Sequence, residues 1–102
     1  MRITGSCREG KLTLRFQGEL DHHTAGEAMA AISERIDAFL PRCCVLDLGG
    51  LSFMDSAGIA LLMRTDKLMR RLGGELTVSA PGPQTMRVLT AAGLDRRLTI
   101  KE

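Results

Sequence analysis

Hydrophobic and polar positions alternate through KLTLRFQG, residues 11–18, where Leu12, Leu14 and Phe16 are set against Thr13, Arg15 and Gln17. A period of two predicts a strand with one face on a core. RITGSC, just before it, reads as a partner strand joined through REG as a hairpin. The period then changes. Behind DHHTAGE, the residues Met29, Ile32, Ile36 and Phe39/Leu40 recur at helical spacing, with Glu34, Arg35 and Asp37 off the stripe. Thr24 followed three residues later by Glu27 fits a capping box, Asp21 offers a cap one step earlier, and Pro41 stops the helix.

CCVLDL, residues 43–48, is a short apolar run bounded by Pro41 and Gly49-Gly50, the pattern of a buried strand. A second helix is expected from about Ser56 to Leu72. Its first half is apolar nearly all round, its second half carries Lys67, Arg70 and Arg71, and Gly73-Gly74 ends it. ELTVSA (75–80) alternates Leu76, Val78 and Ala80 as another strand. A third helix follows Pro83 with Met86, Val88 and Leu89 inward and Gly93 at its end, and RRLTI (96–100) closes the chain as a strand.

The order β-β-α-β-α-β-α-β implies a single α/β domain over residues 1–102. Its mixed, mainly parallel sheet should have about five strands with helices packed on it. In such a sheet the loops leaving the carboxyl ends of the strands share one edge, where ligands and partners dock. Asp21-His22-His23, Ser52 to Ser56 and Pro81-Gly82-Pro83 each follow a strand and precede a helix, so they are expected to meet there.

Composition narrows the function classes. Apolar residues make up 44% and charged residues 25%, but only three Phe and no Tyr or Trp, so the core must be aliphatic with help from six Met. A net charge of +2, spread along the chain, with Arg70-Arg71 and Arg96-Arg97 as its only basic pairs and no interleaved aromatics, argues against direct nucleic-acid binding. The longest apolar stretch, Ala57 to Met63, falls far short of the roughly 20 residues of a membrane-spanning helix. MRITGSCREGK lacks the apolar segment of a signal peptide, so no membrane association and a cytoplasmic location are expected. Cys7, Cys43 and Cys44 have no metal-ligand spacing and read as buried reduced thiols. His22 and His23, without further ligands nearby, read as loop or cap residues rather than a metal pair. Met54, Met63 and Met69 read as core filler, though Met54, in the expected loop, could instead contact a partner. Asp47, in a buried strand, is expected to accept a local hydrogen bond or lie at the strand's edge.

The chemistry converges on LSFMDSAGIALLM, residues 51–63. Ser56 has three readings. With His22 or His23 and Asp21, Asp47 or Asp55 it supplies the residue types of a hydrolase triad, but a nucleophile elbow needs Gly two before the serine, where Met54 stands. As helix-start chemistry, Asp55 caps and Ser56 is simply the first helical residue. As a phosphoacceptor, Ser56 would carry about −2 charges against free backbone N–H groups and the positive end of the helix dipole. Physical chemistry permits the third reading without selecting it.

GELDHHTA (18–25), VLDLGGLSFMDSAGIALL (45–62) and GGELTV (73–78), in that order and spacing, closely resemble the STAS-domain anti-sigma factor antagonists of the stage II sporulation protein AA type, over about Leu12 to Leu98. The resemblance implies a binding module and kinase substrate, not an enzyme. It makes Ser56 the phosphoacceptor, with Asp21, His22, His23, Thr24, Met54, Asp55, Ser56, Ala57 and Gly58 as the partner-binding surface. The unphosphorylated form would bind an anti-sigma factor that is also the serine kinase and so release the sigma factor. Phosphorylation with the kinase's own ATP would end the interaction, and a metal-dependent serine phosphatase would restore it. No cofactor of its own and a monomeric state are expected. Ala57 stands where relatives often carry a second serine, leaving Ser56 as the one acceptor. The chain ends at Glu102, soon after its last expected strand, so the family's terminal helix is expected to be short or missing. The alternative reading is a STAS interaction module in a scaffold or membrane-associated complex without a phospho-switch.

Overall fold

The computed structural model describes residues 1–102. Its strands are β1 (Arg2–Arg8), β2 (Lys11–Leu20), β3 (Cys43–Met54), β4 (Glu75–Ser79) and β5 (Thr99–Lys101). Its helices are α1 (Ala25–Phe39), α2 (Ser56–Arg71) and α3 (Pro83–Ala91), with one 3-10 turn at Leu94–Arg96. The strands lie in the order β1-β2-β3-β4-β5, antiparallel between the first two and parallel thereafter. The hairpin turn is tighter than REG implied: Arg8 pairs with Lys11, and only Glu9 and Gly10 turn, both at positive φ. That is the conformation a two-residue hairpin needs to match strand twist.

One face of the sheet carries the core. Leu12, Leu14 and Phe16 of β2, Cys44, Leu46 and Leu48 of β3, and Leu76 and Val78 of β4 are buried in one cluster. Ala28, Met29, Ile32 and Ile36 of α1, Leu61, Leu62 and Met69 of α2, and Leu89 of α3 join the same cluster. On the opposite face Thr13, Arg15, Val45, Asp47 and Thr77 remain half-exposed or exposed. Burial pushes the Cys44 thiol up to about 12, with the neighbouring Cys43 adding to the shift, so it stays protonated and unreactive at neutral pH. All three cysteines are free, but only Cys44 is fully buried; Cys7 and Cys43 are half-exposed.

Several boundaries differ from the sequence pattern. β3 does not stop at Gly49-Gly50; it runs twelve residues to Met54. Its pairing with β2 slips twice, between Arg15 and Gln17 and between Gly18 and Glu19, each slip accommodating one extra residue on β3. Each bulge shifts the inward phase, so buried positions fall at Leu46, Leu48, Leu51 and Met54 instead of alternating throughout. Gly50 sits at the first slip, where an added Cβ would lie 2.4 Å from the Phe16 carbonyl oxygen.

Phe39 and Leu40 do not continue the buried stripe of α1. Leu40 turns into the left-handed region (φ 45), which redirects its side chain to solvent, 64% exposed, while Pro41 takes the buried place. Met63 is likewise 39% exposed rather than core. Ala80 leaves β4 at φ 54 and is exposed, its N–H donating to the Lys101 carbonyl at 2.7 Å. Arg96 and Arg97 belong to the turn from Leu94, and only Thr99–Lys101 pairs with β4. No helix is long and apolar enough to cross a membrane.

Candidate functional site

The register of β2 and β3 builds the site. Leu20, the last residue of β2, pairs with Met54, the last of β3, in parallel. The next residue of each strand, Asp21 and Asp55, therefore emerges at the same level of the sheet edge. The Asp55 N–H donates to the Leu20 carbonyl at 3.2 Å and ties the two exits together. Ser52 Oγ adds a bond to the Gly18 carbonyl at 3.2 Å.

On the β3 side, Asp55 caps α2. Its backbone is extended and its Oδ1 accepts from the Ala57 N–H at 2.8 Å. Ser56 is the first helical residue and is exposed, and none of the side-chain hydrogen bonds that stitch the edge involves its hydroxyl. The Ser–His hydrogen bond that marks a hydrolase triad is not among them. Ala57 is half-buried and Gly58 is buried. A Cβ on Gly58 would lie 2.3 Å from Met54 Cγ and 2.6 Å from its sulfur. The glycine thus lets the first turn of α2 settle on the Met54 side chain.

Two of the expected contact residues are buried, and the loop placement expected of Met54 is corrected. Met54 is not in a loop: it ends β3 and is fully buried, because the second bulge brings it back to the inward phase. Gly58 is covered by that same side chain. Neither presents a side chain to a partner here; both shape the turn that presents Ser56.

On the β2 side, the Asp21 Oδ1 accepts from the N–H groups of His23 (2.9 Å) and Thr24 (3.1 Å), and its carbonyl accepts the first helical bond from Ala25 at 2.8 Å. The capping box expected of Thr24 and Glu27 does not form. The Thr24 hydroxyl is committed elsewhere, accepting from the Asp21 N–H at 3.0 Å and donating to the Glu19 carbonyl at 2.8 Å. The cap expected of Asp21 does not form on α1 either: its carboxylate closes the turn of residues 21–24 ahead of the helix, and Thr24 takes the N-cap position without a side-chain cap bond. Partial desolvation pushes the Asp21 carboxyl up, but the two backbone N–H donors and the nearby His23 outweigh it and hold the group below the ordinary value of 3.8.

His22 and His23 are exposed and lie ring against ring at 4.0 Å between centroids. His22 Nδ1 stands 3.9 Å from Asp55 Oδ2, an ion pair when the imidazole is protonated and the one side-chain contact joining the two aspartate turns. Asp47 lies lower on β3, where its Oδ1 accepts from Gly49 N–H at 2.9 Å and its Oδ2 is 3.6 Å from Arg15, in keeping with its expected local role.

Two residues of this edge escape sequence reasoning. Gln84, near the start of α3, clamps the Met54 backbone with both ends of its carboxamide: Oε1 accepts from Met54 N–H at 2.9 Å and Nε2 donates to the Met54 carbonyl at 2.8 Å. β4 pairs with β3 only as far as Asp47, so the side chain stands in for a missing strand at that point. It also brings the Pro81–Pro83 turn to the same edge. Phe53 is 38% exposed beside the Asp55 turn; the one sequence signal for it was an aromatic out of phase with the inward residues around it.

The family described as the STAS domain matches residues 2–102. The chain is similar to the anti-sigma F factor antagonist of Paenibacillus polymyxa, 36% identical over 100 residues that cover 98% of this chain and 86% of the relative. Among solved structures it is similar to the anti-sigma factor antagonist SpoIIAA in its unphosphorylated form, with a TM-score of 0.83 and 25% identity over 97% of this chain and 87% of that one. It is also similar to the Bacillus cell fate determinant SpoIIAA in the phosphorylated form, with a TM-score of 0.74 and 25% identity over 97% of this chain and 90% of that one.

Proposed function

The chain belongs to the STAS-domain family, and from that premise we propose that it is an anti-sigma factor antagonist controlled by phosphorylation of Ser56. The observation that carries the reading is the exposed Ser56 hydroxyl, free of intramolecular hydrogen bonds, at the start of a sixteen-residue helix and beside the Asp21 turn. The relatives add weight, since one is an anti-sigma F factor antagonist and another has been solved with and without phosphate.

In this reading the unphosphorylated edge, with Asp21, His22, His23, Phe53, Asp55 and Ser56 on its surface, binds an anti-sigma factor that is also a serine kinase, and the sigma factor is released. The kinase supplies ATP. The Ser56 oxygen attacks the γ-phosphorus, the bond to the bridging oxygen breaks, ADP leaves and the hydroxyl proton is lost. The protein contributes the acceptor and its presentation, and no catalytic group. The new phosphate sits at the positive N-terminal end of the α2 dipole, so the fold tolerates it. Next to Asp55 it adds about two negative charges to a surface that was fitted to a neutral serine, and the complex dissociates. A metal-dependent serine phosphatase resets the switch.

The test is to mix the protein with an anti-sigma serine kinase and ATP and to locate phosphate by peptide mass spectrometry. Phosphate on Ser56, a Ser56→Ala protein that binds the kinase but is never released, and weak binding by Ser56→Asp are the expected results. Absence of phosphate at Ser56 together with unchanged binding by Ser56→Asp would overturn the switch and favour a phosphorylation-independent STAS interaction module.

A further inference from the structure

The charge of this protein is unevenly placed. Residues 64–71 of α2 carry Arg64, Lys67, Arg70 and Arg71 against one acid, Asp66, and the turn that follows α3 adds Asp95, Arg96 and Arg97. These two segments hold six of the fourteen Lys and Arg but two of the twelve Asp and Glu, so the rest of the chain is net acidic. Of these six cations, Lys67, Arg70 and Arg97 face a common space. Between them lies a cleft of about 260 Å³ with Leu94 and Leu98 buried in its floor, Met63 at its lip, and Lys67, Arg70 and Arg97 around it. Asp66 neutralises Arg70 at 3.0 Å, while Lys67 and Arg97 take part in no ion pair.

We propose that this cleft is a second docking site, which takes an acidic segment of a partner protein through one of the segment's apolar side chains. The occupant follows from the lining. An apolar floor under a cationic rim matches a segment that alternates carboxylates with an aliphatic or aromatic anchor, the anchor desolvated in the centre and the charges at the edge. Nucleic acid fits less well, because the cleft offers no aromatic face for a base. A lipid surface fits less well because the two leucines lie recessed instead of projecting.

The site is independent of the Ser56 reading. Lys67 lies eleven residues beyond Ser56 on the same helix, about 16 Å along its axis at the α-helical rise. That exceeds the roughly 8 Å over which charges act at physiological salt. A phosphate on Ser56 would therefore leave this contact in place, and a partner released from the switch edge could remain tethered by the cleft.

The experiment titrates the full chain into a short fluorescein-labelled peptide that alternates acidic residues with leucine, followed by fluorescence anisotropy. Saturable binding that weakens with salt is expected, along with weaker binding of the same peptide with serine in place of leucine. Lys67→Glu/Arg97→Glu should lose about tenfold or more in affinity, and Lys67→Gln/Arg97→Gln an intermediate amount; all four changes are at exposed positions, and circular dichroism checks the fold. Ser56→Asp should bind as the parent does. No saturable binding, indifference to the charge reversals, loss of binding in Ser56→Asp, or preference for single-stranded oligothymidine or phosphatidylserine vesicles over the peptide would each overturn the proposal.

Discussion

Two aspartates leave two strands at the same sheet edge, each ahead of a helix, and their turns are built differently. Asp21 is enclosed by its own loop: its carboxylate takes N–H groups from His23 and Thr24, and the Thr24 hydroxyl closes back onto Glu19. Within its own segment the Asp55 carboxylate caps Ala57 and the neighbouring Met54 side chain lies under Gly58, but the turn is also propped by two distant residues, through the Leu20 carbonyl and the Gln84 carboxamide. One turn is locally determined, the other is held by tertiary contacts. The second is the turn that exposes Ser56. A serine that must be presented to another protein gains from a turn whose hydrogen bonds leave its hydroxyl free.

The sharpest way to break this contrast is at Gly58. Gly58→Ala forces a Cβ against Met54 where no space exists, and should cost about 1–3 kcal/mol of stability in urea unfolding. A stability equal to the parent's would mean that the fully buried Met54 swings aside and that the packing argument fails. Next, Gln84→Ala leaves the Met54 N–H and carbonyl without partners and should cost about 1–2 kcal/mol. Amide exchange at Met54 and Asp55 should quicken while that at His23 and Thr24 stays as it was; equal quickening in both turns would dissolve the distinction. Asp55→Ala removes a helix cap and should cost about 1 kcal/mol.

Gly26, the second residue of α1, supplies the opposite sign. An added Cβ there meets nothing within 4 Å, so Gly26→Ala should stabilise by about 0.5–1 kcal/mol. Destabilisation would show that the first turn of α1 is also held from outside. The smallest effect belongs to the Asp21 carboxyl. Its folded pKa lies below the ordinary 3.8, so its contribution to stability is full above that value and is lost as the pH falls through the lowered one. Carboxyl NMR should find it titrating below the unfolded reference, and Asp21→Asn should remove that part of the acid sensitivity. A titration at or above 3.8 would remove the local lock.

The strands and helices that pack by a simple period were legible in the chain: Leu12, Leu14 and Phe16 at period two, and Met29, Ile32 and Ile36 at helical spacing, are all buried. β3 was legible only in its first half. Two bulges change the inward phase at Leu51 and Met54, and Gly49-Gly50, which reads as a strand end, is the means by which one bulge approaches β2. The end of α1 misled for a related reason, since the left-handed turn at Leu40 exchanges an aliphatic side chain for Pro41 in the core. At the site, Asp21, Asp55 and Ser56 could be named from their positions after strands. Gln84 could not, because a side-chain bond across thirty residues leaves no local pattern, and Phe53 left only an aromatic out of phase with its inward neighbours, whose exposure was decided at a bulge.

Taken alone, the amino-acid sequence determined the order of elements, the aliphatic core, the aspartates that follow β2 and β3, and Ser56 beside the second of them. Those are consequences of periodicity and of near-neighbour capping, which act over a few residues. Only the tertiary structure decided that Leu20 and Met54 end their strands level, that Met54 and Gly58 are buried under the turn, and that Lys67 and Arg70 of α2 share a cleft with Arg97 after α3. Register, bulges and the docking of one helix beside another depend on contacts between residues far apart in the chain. Such contacts form only when the whole sheet has folded.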